Sequence, residues 1–199
     1  GAASTASMDE KEIKNHLLAS GCWPFIKQRP YDIIANPNVK PKAIFVSAYS
    51  TAPLAADYDF TLMGKEKELQ AAVTAMSKLT DGVVNVGVGK NSKSVFESLE
   101  DITVHKISGK HPAGNVGTLI NKLNPVNKGE VVWTISPQDL VIIGELLLTG
   151  KFNAERVVAL SGSSVKDPKY YTTKIGSEVS TILYTSGLNE EHVRIIDGN

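Results

Sequence analysis

ITVHKISGKHPAGNVGTLINKL, residues 102–123, is the stretch on which the fold turns. It opens with a strand-like run, Ile102–Ile107. A glycine-punctuated turn follows, HPAGNVGT at 111–118, and then a helix-like run, Val116–Leu123. A strand handing over to a helix through such a turn is the repeating unit of α/β proteins. It is also where those proteins hold ligands, because the first N–H groups of a helix have no partner inside it. The turn contains neither G-x-G-x-x-G nor G-x-x-x-x-G-K-[ST]. Gly114 and Gly117 stand three apart with no third glycine in register, so it is a weak phosphate fingerprint. Two glycines needed only for tight turning is the other reading.

Working outward, the same alternation continues on both sides. Upstream, Ala43–Ala48 (AIFVSA) and Val83–Val88 (VVNVGV) are nearly unbroken apolar runs, the pattern of strands buried on both faces. Between them, Lys65–Leu79 carries Leu69, Val73, Met76 and Leu79 at helical spacing. A short helix is expected over 94–99, with Ser94 and Glu97 as cap residues. Downstream, Val131–Ile135 reads as a fourth strand. Ser136-Pro137-Gln138-Asp139 then starts a helix: Ser136 caps, Pro137 takes the first position, and Asp139 suits the positive end. That helix runs to Thr149 and stops at Gly150. The region is thus an α/β unit with a mainly parallel sheet.

The flanks read differently. Residues 1–8 are expected to be a flexible lead. Ser7 with Glu10 suggests a capping box for a helix whose apolar stripe is Ile13, Leu17 and Leu18, with Gly21 as its stop. Pro24, Pro30, Pro37 and Pro41 then punctuate a segment expected to hold little regular structure. After Lys151 the order changes to strand (Arg156–Ser161), strand (Tyr170–Lys174), helix (Glu178–Thr185), strand (Val193–Ile196), a β-grasp-like pattern. The expected division is a lead at 1–8, an α/β domain at 9–151 and a β-grasp-like piece at 152–199. That last piece is one strand short of a comfortable sheet and so is expected to be incomplete.

Bulk composition narrows the function. Lys+Arg and Asp+Glu are both 21 in a chain of 199 residues, giving zero net charge. That argues against a nucleic-acid partner and against an electrostatic membrane anchor. No run of about 18 apolar residues exists, so no transmembrane segment is expected. Cys22, the one cysteine, has no internal disulfide partner and reads as a small packed hydrophobe. The four histidines, His16, His105, His111 and His192, are scattered, and no metal site is expected.

Among the chemistry-bearing residues, His111 flanks the turn and is the better functional candidate of the four histidines, though the reading that favours a histidine merely hydrogen-bonding a loop stands ahead of it. Asp57 and Asp59 follow the first apolar run, on the edge where α/β sheets bind, and either could instead cap a helix. Trp23, Phe25 and Tyr31 with Lys27 and Arg29 form an aromatic and basic cluster. It can receive a planar ligand or a partner protein, or cover the end of the sheet.

Five stretches, SGCWPFIKQRPYD (20–32), PKAIFVSAYSTAPLAAD (41–57), HPAGNVGTLINKLNPV (111–126), VWTISPQDLVIIGELLLTGKF (132–152) and RVVALSGSSVKDP (156–168), together resemble one family. It is the A subunit of the bacterial Na+-translocating NADH:quinone reductase. More distantly the chain resembles the flavin/NADH subunit of respiratory complex I and the C subunit of the Rnf complex. The resemblance implies a Rossmann-like domain followed by a soluble-ligand-binding β-grasp domain, and a chain from the middle of the full-length protein. It also marks what is missing. Where the complex I relative holds flavin with closely spaced glycines and arginines, GCWPFIKQRP has only Gly21. Where that relative carries adjacent glutamates, Asn115 and Val116 stand here.

The resemblance therefore implies a cofactor-free component, peripheral on the cytoplasmic face of the bacterial inner membrane. FAD, FMN, riboflavin and iron-sulfur groups would lie in other subunits. Its partners would be those subunits, chiefly the membrane ones, and ubiquinone. The isolated chain is not expected to be catalytic. A quinone site needs an apolar slot and one or two donors, so His111, Gly114 and Gly117 are the leading contact candidates, with Trp23, Arg29 and Asp57 behind them. The alternatives are a flavin- or NADH-binding oxidoreductase domain built on the 111–118 turn, and a pure docking module.

Overall fold

The computed structural model describes residues 7–198; most of the expected flexible lead and Asn199 lie outside them. The chain runs α1 (Glu10–Ala19), a 3-10 turn (Trp23–Phe25), β1 (Lys27–Arg29), β2 (Ile33–Ile34) and β3 (Ile44–Ser47). It continues α2 (Tyr58–Thr61), α3 (Glu66–Ser77), β4 (Val84–Gly89), a 3-10 turn (Val95–Ser98), β5 (Ile102–Ile107) and α4 (Val116–Leu123). Last come β6 (Val132–Thr134), α5 (Pro137–Thr149), β7 (Glu155–Leu160), β8 (Lys169–Lys174) and α6 (Ser180–Ser186).

β1 to β6 form one six-stranded sheet in the order β2-β1-β6-β3-β4-β5. β6, β3, β4 and β5 are mutually parallel, and β1 joins β6 and β2 antiparallel. The α/β class with a largely parallel sheet is as the alternation predicted. Period-two alternation divides each strand between two faces. Ile44, Val46, Val84, Val86 and Trp133 face α1, α3 and α5, while Phe45 and Val132 face Leu119 and Ile120 of α4. Gly144 lets α5 meet α3: a Cβ there would lie 1.8 Å from the Glu68 carbonyl oxygen. The start and stop of α5 match their sequence signals. Ser136 Oγ accepts from Asp139 N–H, and Gly150 ends the helix at φ 72°.

Four local expectations are corrected. Asp9, not Ser7, caps α1, and the reciprocal box partner is Glu12; Asp9 stands immediately before the first helical residue, where its carboxylate accepts from Glu12 N–H. The Pro-punctuated segment holds two strands, because Pro24, Pro30, Pro37 and Pro41 all fall outside β1 and β2, where no ladder bond is lost. Ser94 makes no side-chain cap. Its segment is a 3-10 turn in which Glu97 N–H donates to the Ser94 carbonyl.

The fourth correction concerns 193–196, which form no strand. β7 and β8 pair only with each other, antiparallel from Glu155↔Lys174 to Leu160↔Lys169. Residues 193–196 join neither outer edge of this hairpin, and an extended stretch without ladder bonds is not a strand.

Candidate functional site

From β3 the chain moves to β4 and β5 on one side. It then returns across the opposite face through α4 to β6 on the other side. The strand order therefore reverses between β3 and β6. In open α/β sheets the crevice beyond the carboxyl ends of strands at such a reversal is the ligand position.

A cavity of about 700 Å³ occupies that place. Ser47, Tyr49 and Ser50 reach it from the end of β3, and Thr134 and Ile135 from the end of β6. The first turns of α4 and α5 close two sides. Phe25, Lys27 and Arg29 close a third, beside Tyr58 of α2.

The two glycines of the 111–118 turn do different things, and neither has positive φ, so the tight-turn reading does not hold. Gly114 allows close approach: a Cβ there would lie 2.5 Å from the Tyr49 carbonyl oxygen and 2.8 Å from Thr51 N. It is tied down on both sides. Its carbonyl accepts from Ser47 Oγ at 2.6 Å, and its N–H donates to Thr51 Oγ1 at 3.1 Å. Gly117 touches nothing; a Cβ there meets open space on the cavity wall. Asn115 caps α4 without a side-chain bond, and the N–H groups of Val116 and Gly117 find no acceptor among the described residues. An acceptor on a ligand would meet them favourably.

The charges around the cavity are unequal. Among the described residues Lys27 has no ion-pair partner, whereas Arg29 pairs with Asp32 at 3.2 Å. Asp139 is neutralised by Arg156 and accepts from Ser136 Oγ at 2.7 Å. Burial, then the Asp139 charge, push the Tyr58 phenol above its ordinary range, so it stays a neutral O–H group. The arrangement suits a planar or apolar head group bearing hydrogen-bond acceptors. Donors stand on one side, and Phe25, Tyr49 and Ile135 supply apolar wall.

Of the residues singled out from sequence, Gly114, Gly117 and Arg29 lie on this wall. His111 does not; its Nδ1 meets Thr51 Oγ1 at 3.3 Å, the loop-bonding role. Asp57 caps α2, accepting from Asp59 N–H at 2.9 Å. Trp23 belongs to the core. It is 3% exposed, donates from Nε1 to the Ala35 carbonyl at 2.7 Å, and sets its ring edge-on to Trp133. His105 bonds Asn85 Oδ1 at 2.9 Å within the sheet. Cys22 is fully buried, and burial pushes its thiol up. Sequence reading missed Ser47, Tyr49, Tyr58, Thr134 and Ile135. Four of them sit at the ends of β3 and β6, and the signal for those was the strand ends themselves once the sheet order is known.

Residues 8–152 match the family model described as "NqrA second alpha/beta domain", and residues 157–199 match "NQRA C-terminal domain". Among curated proteins, the chain is similar to several named as the A subunit of Na(+)-translocating NADH-quinone reductase. The one from Yersinia pestis is 35% identical over 96% of this chain. That from Neisseria meningitidis serogroup B is 36% identical over 98%, and that from Cellvibrio japonicus 37% over 100%. The chain spans 43% of the length of the first two and 44% of the third. Among solved structures, an NAD+-reducing [NiFe]-hydrogenase in the H2-reduced state aligns with TM-score 0.63 at 14% identity. The alignment covers 92% of this chain and 40% of that one. At that identity the likeness is one of fold.

Proposed function

Since the chain belongs to the NqrA family, the A subunits of Na(+)-translocating NADH-quinone reductases, we propose that it forms the quinone-facing part of its complex, with the head group in the β3/β6 cavity. The observation that carries this reading is the pairing of unfilled donors with an open wall. Among the described residues Val116 and Gly117 present N–H groups without acceptors, and Lys27 has no ion-pair partner. Gly117 leaves free the space that any side chain would take. The two N–H groups would hold a quinone carbonyl oxygen, Lys27 and the Tyr58 hydroxyl would favour the charge that builds there on reduction, and Phe25 and Tyr49 would flank the ring.

On the same reading the chain holds no flavin or NADH of its own. The segment that the resemblance would give to a flavin has Gly21 as its one glycine, and Trp23 in it is committed to the core. It would dock from the cytoplasmic face onto membrane subunits that carry the redox groups. No helix among the described residues is long and apolar enough to cross a membrane.

The test uses the assembled complex and Gly117→Leu. A Cβ added there has nothing within 4 Å, so the side chain starts out into the cavity, and replacing a helical glycine favours the helix by about 0.5–1 kcal/mol. The melting temperature should hold or rise. The KM for quinone should rise about tenfold or more, while NADH oxidation by an artificial acceptor stays unchanged. Unchanged quinone kinetics would remove the head group from this cavity.

A further inference from the structure

The charge of the β3/β6 cavity is completed from outside it. The charged side chains on its wall are Lys27, Arg29, Asp32 and Asp139. On their own they balance, which is a poor setting for a head group rich in acceptors. Asp32 is answered from the wall itself, by Arg29 at 3.2 Å. Asp139 is answered by Arg156, which stands on β7 and is not among the lining residues. With Arg156 in place, Lys27 is left over and the cavity is positive. Without it, Asp139 presents a bare carboxylate to the cavity. The Asp139 side chain is 14% exposed, so water and salt screen that charge weakly.

A neighbouring wall group already registers the pair. Burial raises the Tyr58 phenol most; after it, Asp139 raises the phenol and Arg156 lowers it. Asp139 has other bonds to hold it. Its Oδ2 accepts from Ser136 Oγ at 2.7 Å, and it lies in the first turn of α5, whose positive end suits a carboxylate. What Arg156 adds is cancellation of the charge. It comes with the hairpin: β7 pairs with β8 alone, and Gln138 holds Val157, the next residue, at 2.9 and 2.8 Å. Resting on the quinone reading of the cavity, we propose that Arg156 is a positioning residue for it. By neutralising Asp139, it makes docking of the β7–β8 hairpin the condition for seating an electron-rich or anionic head group. Head-group binding and hairpin docking then favour each other, because coupling between two events is reciprocal.

The experiment titrates the chain with two probes of similar shape, neutral menadione and the anionic hydroxynaphthoquinone lawsone. Amide shifts at Val116 and Gly117 report occupancy of the cavity, and the ratio of the two affinities is the measured quantity. Arg156→Gln should turn that ratio against lawsone about tenfold, the size expected of one uncompensated charge beside the ligand, while menadione changes less than about threefold. Adding Asp139→Asn to Arg156→Gln should restore the ratio, and Arg156→Lys should keep it. In the parent, lawsone should slow exchange of the Val157 N–H held by Gln138. Equal weakening of both probes, or no rescue by Asp139→Asn, would make Arg156 a structural tie only and overturn the proposal. Unchanged Val157 exchange would overturn the coupling to the hairpin. If neither probe shifts Val116 and Gly117 in the parent, the quinone reading itself fails and takes the proposal with it.

Discussion

The α/β region and the segment after it are held together in opposite ways. Up to Leu147 the chain buries a continuous apolar core on both faces of the sheet, with Phe45, Trp133, Leu69 and Leu140 wholly enclosed. From Phe152 onward Ser186 is the one buried residue among those described. The β7–β8 hairpin stays in place through discrete polar ties. Gln138 acts as a one-residue strand: its Nε2 donates to the Val157 carbonyl at 2.9 Å and its Oε1 accepts from Val157 N–H at 2.8 Å. Asp139 binds Arg156, and Tyr170 Oη accepts from Asp57 N–H at 2.9 Å while its ring packs on Phe60. Burial makes one region cooperative. The other depends on a few bonds, most of them rooted in the helix start that also lines the β3/β6 cavity.

The strongest challenge to that contrast is a matched pair of truncations. Phe45→Ala should cost about 4 kcal/mol of global stability in denaturant unfolding, the usual loss for an enclosed aromatic ring. Val158→Ala on the half-buried hairpin should cost less than about 1 kcal/mol. Equal losses would mean that the hairpin shares the core's cooperativity. Next in size is Gly144→Ala. Its methyl would press on the Glu68 carbonyl and force α5 away from α3, so a loss of about 2 kcal/mol is expected. Wild-type stability in that variant would show that the helix pair can separate freely.

The same contrast decides what could be read in advance. β3, β4 and β6, with α3, α4 and α5, were legible because burial on both faces imposes apolar runs and one-sided burial imposes helical spacing, while β5, a half-exposed edge strand, showed as alternation. Ile102–Ile107 and Val116–Leu123 fall where the pattern puts them. The third hairpin-side strand was not, because Val193–Ile196 has the residue types of a strand but pairs with neither edge of the hairpin, and pairing is a long-range outcome that residue type does not set. Of the candidate contact residues, the structure puts Gly114, Gly117 and Arg29 on the cavity wall and Trp23 and His111 away from it. An indole can pack on a ligand or against another indole, and only the edge-on approach of Trp133, more than a hundred positions away, decides which. Ser47, Thr134 and Ile135 became visible once the sheet order set β3 beside β6.

Gln138→Ala tests the polar side of the contrast locally. Val157 would lose both its edge partners, and an unpaired N–H costs about 1–3 kcal/mol. Hydrogen exchange at Val157 and its β7 neighbours should quicken about tenfold, while amides of β3 and β4 keep their protection. Equal acceleration everywhere would show the hairpin and core opening together.

The smallest effect is expected from pH, and it should come from the α/β side. His105 lies on β5 against Asn85, and burial lowers its pKa from the ordinary value near 6.5. The unfolded chain therefore takes up the proton first. Stability is full above the unfolded value and is lost as pH falls through the window down to the folded value. His105→Gln keeps a donor for Asn85 and removes the titration, so its melting temperature should stay flat across that window where the parent's declines slightly. Amide exchange recorded at both ends of the window should place the loosening at β4 and β5. If β7 and β8 loosen instead, the hairpin's ties answer to a proton that should belong to the sheet, and the division between the two regions fails at its most sensitive point.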